Sequence, residues 1–258
     1  MMSNVIEVKN LVKTFGRKGR WFAAGDHQVH AVKGVSLHLA AGETLAVVGE
    51  SGSGKSTLAR MLVGLETPTS GSIELMGQPR PQQAKASGRT IQYVFQDPVA
   101  SLNPRKTIAD ILAIPLSHLC GYSAARRKTR MLELMEAVQM PADALLGYPH
   151  EFSGGQAQRL AIARALAAEA RILVLDEPVS ALDVSVQAQV LLLLDQLKTQ
   201  FGLSYLFISH DLAVVESIAD RVAVMYRGDL VECAPNEVLF ASPQHSYTQT
   251  LLASAPRL

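Results

Sequence analysis

The chain has 258 residues, room for one large or two small domains, and its 48% apolar content supplies a packed core, which excludes a disordered polypeptide. With 24 Lys and Arg against 23 Asp and Glu, the net charge of +1 lacks the basic surplus that neutralises a phosphate backbone, so nucleic acid is not expected as a partner. Only two cysteines, Cys120 and Cys233, occur, far apart and without a second pair, which excludes a disulfide framework and suits a reducing cytosol.

The N-terminal residues show no basic stretch leading into an apolar segment, so no signal peptide is expected. No window offers the ~18 uninterrupted apolar residues of a membrane span, and any membrane role is expected to come through a partner. Residues 5–9 and 35–39 alternate apolar and polar side chains and predict an antiparallel opening layer of strands with one buried face. Residues 45–48, 172–175 and 205–208 are short continuous apolar runs, as expected of strands covered on both faces in an α/β sheet. Each run ends at polar residues: Gly49 onward, Asp176-Glu177 and Ser209-His210. Open α/β sheets bind ligands at the carboxyl ends of their strands, so these three distant segments are expected to converge on one site.

Between Gln96 and Phe152 the pattern changes. Residues 107–119 and 124–138 show helical spacing, and an inserted helical subdomain is expected over 97–152, with turns at Asp97-Pro98, Asn103-Pro104 and Gly147-Tyr148-Pro149. Residues 160–166 read as a helix, and 184–200 as a later one whose Leu191, Leu192, Leu194 and Leu197 are expected to form a core face. Residues 229–258 are expected to form a C-terminal extension.

Two helix starts built from glycine and serine carry most of the chemistry. The first is Gly49-Glu50-Ser51-Gly52-Ser53-Gly54-Lys55-Ser56-Thr57, between the apolar run 45–48 and the segment 58–63, which is a P-loop in a strand-loop-helix setting. Its glycines let backbone N–H groups approach phosphate, Lys55 reaches the outer phosphates, and the Ser56 hydroxyl ligates Mg²⁺. The second is Ser153-Gly154-Gly155-Gln156, and the pair suggests a nucleotide held between two surfaces. Asp176, at a buried strand end, is expected to hold Mg²⁺ through water, and Glu177 to polarise an attacking water as general base. His210 is placed to touch a γ-phosphate, and Gln96 to sense Mg²⁺ and water at the entrance to the helical insert.

Other features are weaker. His27 and His30 with Asp26 lack the second pair that a metal site needs. Arg126, Arg127, Lys128 and Arg130 read as a solvated helix face with Glu133 in reach of Arg130. Trp21 and Phe22 are unusual in a glycine- and lysine-containing loop and are candidates to cover a base or a neighbouring subunit.

With the P-loop, Gln96, Ser153-Gly154-Gly155-Gln156, Asp176-Glu177, Asp183 and His210 in order, the chain resembles the nucleotide-binding subunits of ABC transporters nearly end to end. The resemblance implies a single domain over 1–258, of P-loop NTPase fold, with an antiparallel β subdomain beside the helical insert. It also implies a head-to-tail dimer with a second, related ATP-binding subunit. In that dimer the P-loop of one protomer and the Ser153 helix start of the other share ATP and Mg²⁺, with Asp183 in the nucleotide-binding set. Ser180-Ala181-Leu182-Asp183 would then touch the partner protomer. Phe15 would stack on adenine, with Trp21 or Phe22 as substitutes.

A finer resemblance, to the ATP-binding subunits of dipeptide, oligopeptide and nickel importers, rests on three stretches. They are Phe95-Gln96-Asp97-Pro98 with Ser101-Leu102-Asn103-Pro104-Arg105, then Glu177-Pro178-Val179-Ser180-Ala181-Leu182-Asp183-Val184-Ser185-Val186-Gln187-Ala188-Gln189, and Ser246-Tyr247-Thr248-Gln249-Thr250-Leu251-Leu252. It implies two integral membrane permease subunits, a solute-binding protein acting indirectly, and a place on the cytoplasmic face of the cell membrane. Phe152 departs from the leucine of many ABC proteins. Longer members carry a cysteine-bearing tail beyond the region of 255–258, so no cluster is expected here. A soluble ABC ATPase of translation or DNA maintenance is the rival reading, and it fits poorly with a single Ser-Gly-Gly-Gln and no sustained heptads. A small-molecule P-loop kinase leaves the second helix start, Glu177 and His210 without a purpose.

Overall fold

Alternating and continuous apolar runs sort the strands into two sheets in this computed structural model, which describes residues 3–16, 28–81 and 84–254. The chain opens with β1 (Asn4–Phe15), β2 (Val29–Ala40), β3 (Thr44–Val48), α1 (Lys55–Val63), β4 (Ser70–Leu75), β5 (Gln78–Pro79), α2 (Ala84–Ser87) and β6 (Ile91–Val94). Helices α3 (Pro98–Ser101), α4 (Ile108–His118), α5 (Ala124–Ala137) and α6 (Gly154–Leu166) follow, then β7 (Ile172–Asp176), α7 (Val184–Phe201), β8 (Ser204–Ile208), α8 (Leu212–Ile218), β9 (Arg221–Tyr226), β10 (Asp229–Pro235), α9 (Asn236–Ala241) and α10 (Ser246–Ser254).

The antiparallel sheet has the order β2-β1-β4-β5 and the larger sheet β10-β9-β3-β8-β7-β6. In the larger sheet β6, β7, β8, β3 and β9 are parallel, and β10 closes the edge antiparallel to β9. Every residue of β3, β7 and β8 is buried, which is why these strands read as unbroken apolar runs rather than as alternations. The opening strands are longer than the alternation at 5–9 and 35–39 suggests, because bulges between Val8 and Leu11 and between Lys13 and Thr14 shift the inward parity along β1.

Helix α1 lies between the two sheets, with Leu58, Ala59, Met61 and Leu62 packed among Ile6, Leu11 and Leu39 on one side and Val47, Val174 and Ile208 on the other. A second core joins α4 to α7: Ile108, Leu112 and Leu116, Leu134 and Met135, Leu160 and Ala161, and Leu194 share one cluster. Helix α7 corrects one expectation. Its inward residues are Val190, Leu193, Leu194 and Leu197, whereas Leu192 is 66% exposed. Four consecutive leucines cannot all face inward at 100° per residue, and the i, i+3, i+4, i+7 set wins.

Register decides where the strands end. Val47 and Asp176 both pair with Ile208, and Val94 pairs with Leu175. The P-loop, Gln96, Glu177 and the Ser209-His210 step therefore leave the sheet along one edge. Leu206, wholly buried in β8 between β3 and β7, tests how far this edge depends on the core. Leu206→Ala is expected to destabilise the protein by about 2–5 kcal/mol, seen as a lower denaturation midpoint with an unchanged slope in urea.

Candidate functional site

The loop from Gly49 to Gly54 leads into a helix N-terminus that no side chain caps. Gly54 caps α1 in the left-handed conformation with no side-chain hydrogen bond, so the first-turn amides stay available to an anion. Gly49 has φ +144°, and a Cβ there would sit 2.1 Å from the Met225 carbonyl oxygen, so only glycine lets the loop pass β9 this closely. The turn between β9 and β10 braces the loop from behind, with Gly228 N donating to the Ser53 carbonyl at 3.0 Å. From the C-terminal side, Glu50 N donates to the Tyr247 hydroxyl at 3.1 Å, and the Tyr247 ring packs on Tyr226 at 4.1 Å.

In front of this loop lies a pocket of about 770 Å³ lined by Ser51, Gly52, Lys55, Ser56, Gln96, Glu177, His210 and Arg227, among others. Lys55 is buried and donates to the carbonyls of Gly49 and Glu50 at 2.7 and 2.9 Å. Burial lowers its pKa, against the opposing pull of Glu177, Asp176 and Glu50.

Asp176, 5% exposed at the end of β7, has both oxygens engaged. Oδ1 accepts from the Ser56 hydroxyl at 3.1 Å and Oδ2 accepts from the Tyr93 hydroxyl. Burial, reinforced by the hydrogen bond to Asp176, raises the Tyr93 pKa, so the phenol remains a donor at any working pH. Glu177 follows at φ +49°, a backbone state that non-glycine residues rarely adopt and that turns its carboxylate out of the strand. Its Oε2 accepts from Gln96 Nε2 at 2.8 Å and its Oε1 lies 3.2 Å from His210 Nδ1. Gln96 thereby commits its amide nitrogen to Glu177, and its carbonyl oxygen takes no part in that bond. The Ser56 hydroxyl, an Asp176 oxygen and the Gln96 carbonyl are hard oxygen donors of the kind that suit Mg²⁺.

Several expected residues stand apart from this pocket. Ser153 caps α6 through a reciprocal box, its hydroxyl accepting from Gln156 N while Gln156 Oε1 accepts from Ser153 N at 3.0 Å. That helix start opens elsewhere. Gly154 borders a hollow of about 420 Å³ with Gln96, Asp97, Pro178 and Leu182. Asp183 caps α7, accepting from Val186 N at 3.0 Å and from the Ser185 hydroxyl at 2.6 Å, and does not line the P-loop pocket. Phe15 ends β1 beside Lys13, whose ammonium lies 4.7 Å from its ring, while its strand partner Val29 lines the pocket. Trp21, Phe22, Asp26 and His27 lie outside the described residues, and His30 Nδ1 is 3.1 Å from the Thr14 hydroxyl. Arg130 meets Glu133 at 2.7 Å as expected.

Three participants escaped the sequence reading. Tyr93 was hidden inside an apolar strand, where a phenol at inward parity is the only available signal. Arg227 lines the pocket from a turn, and Tyr247 of α10 braces the loop behind it at Glu50, both through long-range packing that no local pattern announces.

A family model described as ABC transporter matches residues 32–180. The dipeptide transport ATP-binding protein DppF of Haemophilus influenzae is 53% identical over 239 residues, covering 91% of this chain and 73% of that protein. The di/tripeptide transport ATP-binding protein DppF of Pseudomonas aeruginosa is 47% identical over 261 residues, covering 100% and 80%. Among solved structures, cbiO1 from Clostridium perfringens, part of the ABC transporter complex cbiONQ, superposes with a TM-score of 0.79 at 25% identity, covering 93% of this chain and 91% of that one. An ATP-binding cassette solved as a dimer in a post-hydrolysis state with ADP and Pi gives 0.77 at 28% identity, covering 90% and 98%.

The lowered pKa of Lys55 gives a pH test. Bound phosphate favours the charged amine, so nucleotide affinity is expected to be full below the pKa of Lys55 in the free protein and to fall above it. That fall should begin below the ordinary lysine value of 10.5, at up to about tenfold per pH unit. Titration with a fluorescent ATP analogue between neutral pH and pH 10 measures it, and Lys55→Met should bind weakly without that slope.

Proposed function

The chain belongs to the ABC transporter family, and on that premise we propose that it is the ATP-hydrolysing subunit that powers peptide import through a membrane transporter. The observation that carries the site assignment is the convergence of Lys55, the Ser56–Asp176 pair and a Glu177 braced between Gln96 and His210 on one sheet edge. The soluble ATPase reading finds no support among the relatives named above. Of the cargo classes that the sequence leaves open, nickel and metal chelates among them, the relatives' names favour peptides.

In this reading the α1 amides and Lys55 bind the phosphates, exchanging the two backbone carbonyls that Lys55 holds for phosphate oxygens. Ser56 and Gln96, with Asp176 through water, would hold Mg²⁺, which would supply positive charge to offset that of the phosphates. Glu177 takes a proton from the attacking water, held in position by Gln96 while His210 supports its other oxygen and faces the γ-phosphate.

The Ser153 helix start does not line this chain's own P-loop pocket, which favours its use by a second cassette in a head-to-tail dimer. A related subunit or a second copy supplies the opposite half, with Asp183 and its loop at the contact. ATP drives closure because it binds the closed state more tightly, and hydrolysis releases it. Segment 97–152, as the inserted helical part, docks two permease subunits at the cytoplasmic face of the membrane; 229–258 forms the C-terminal extension; and the solute-binding protein acts at one remove. No helix among the described residues is long and apolar enough to cross a membrane.

Glu177→Gln tests the assignment. Turnover is expected to slow by ~10² to 10⁴ while ATP binding persists and ATP-bound dimer accumulates, read by phosphate release and by light scattering after gel filtration. Unchanged turnover would remove Glu177 from its role.

A further inference from the structure

We infer that Tyr93 is a positioning residue for the metal-binding carboxylate: its hydroxyl holds one oxygen of Asp176 so that the other is presented to Ser56 and the cation. The inference rests on the roles given above to Asp176 and Ser56.

The geometry begins with register. Tyr93 pairs with Val174 across β6 and β7, which puts its side chain on the same sheet face as Val174 and Asp176, the latter two residues further along. A phenol spans that distance, and its hydroxyl donates to Asp176 Oδ2 while Ser56 donates to Oδ1 at 3.1 Å. Tyr93 is 7% exposed, with the Phe95 ring at 4.6 Å and the Arg60 guanidinium of α1 beside the hydroxyl. Among the core residues around it, such as Ile91, Val174 and Leu62, an apolar side chain would fill the same space without needing a partner. A buried hydroxyl is costly unless hydrogen-bonded, and here the partner is the carboxylate at the site.

The consequence is orientational. A carboxylate at a strand end turns freely about its last torsion unless both oxygens are held, and Tyr93 removes that freedom from the buried side. With Oδ2 held from the buried side, Oδ1 stays aligned toward Ser56 and toward a water on a bound cation. Hydrogen bonds to a metal ligand from outside the coordination sphere act in this way on affinity.

Tyr93→Phe removes the hydroxyl and keeps the ring. With the full chain and a non-hydrolysable ATP analogue, the Mg²⁺ concentration that half-saturates cation-stimulated binding is expected to rise about tenfold, the lower end of what loss of such a hydrogen bond costs a metal site. Affinity for the analogue in EDTA should stay unchanged, and Mn²⁺ affinity followed by electron paramagnetic resonance should fall by the same factor. Thermal unfolding reports whether the variant is folded, and Tyr93→Met, which also lacks the hydroxyl, repeats the measurement. A folded variant with unaltered cation affinity overturns the inference. Equal loss of analogue binding with and without cation also overturns it, because that marks general damage to the pocket. Failure of both variants to fold overturns it too, making Tyr93 a residue of the fold alone. If binding to the unsubstituted chain ignores Mg²⁺, the roles of Asp176 and Ser56 fall as well, whereas a cation-dependent parent with unaltered variants removes only Tyr93.

Discussion

A carboxylate at the buried end of a strand has to be met by donors, and Asp176 is met from two directions at once. Ser56 reaches it from the first turn of α1 and Tyr93 from the neighbouring strand. This single side chain therefore ties the start of α1 to the central sheet, while the apolar packing of Leu58, Met61 and Leu62 seats the helix between the sheets. The rest of the site inherits that placement: Glu177 is one residue on, and Gln96 and His210 close on it from the adjacent strand ends.

Glu177 is held differently. Its left-handed backbone is an unfavourable state for a residue with a side chain, costing on the order of 1–3 kcal/mol, and it persists because Glu177 N is bonded to the Ile208 carbonyl at 2.9 Å and both carboxylate oxygens have neighbours. The sheet thus spends some of its stability to point a carboxylate outward beside one that is buried. Adjacent acids acquire opposite surroundings, one fixed within the protein and one facing the pocket.

Much of this was legible in the order of residues. The P-loop, the apolar runs ahead of Gly49, Asp176 and Ser209, and the helices of the insert are local patterns, and local chemistry formed them as read. Legibility failed where a second constraint competed with the local one. Bulges concealed the full length of β1, and the run of leucines in α7 hid which of them face inward. Ser153 and Asp183 carry a local signal as well: each caps its own helix, as serine and aspartate commonly do where a helix begins. Tyr93 and Tyr247 were unreadable because their partners are remote in sequence, at Asp176 and Glu50.

The position of β3 has a consequence for biogenesis. This strand carries the P-loop and is made well before its neighbours β8 and β9, and the hydroxyl that receives the Glu50 amide belongs to the still later α10. At a synthesis rate of roughly 5–20 residues per second, a nascent chain waits about 10–40 s with the apolar flanks of β3 uncovered. The loop at the head of α1 is thus translated well before the strands that enclose it, and throughout that interval the apolar flanks of its strand remain open to other contacts.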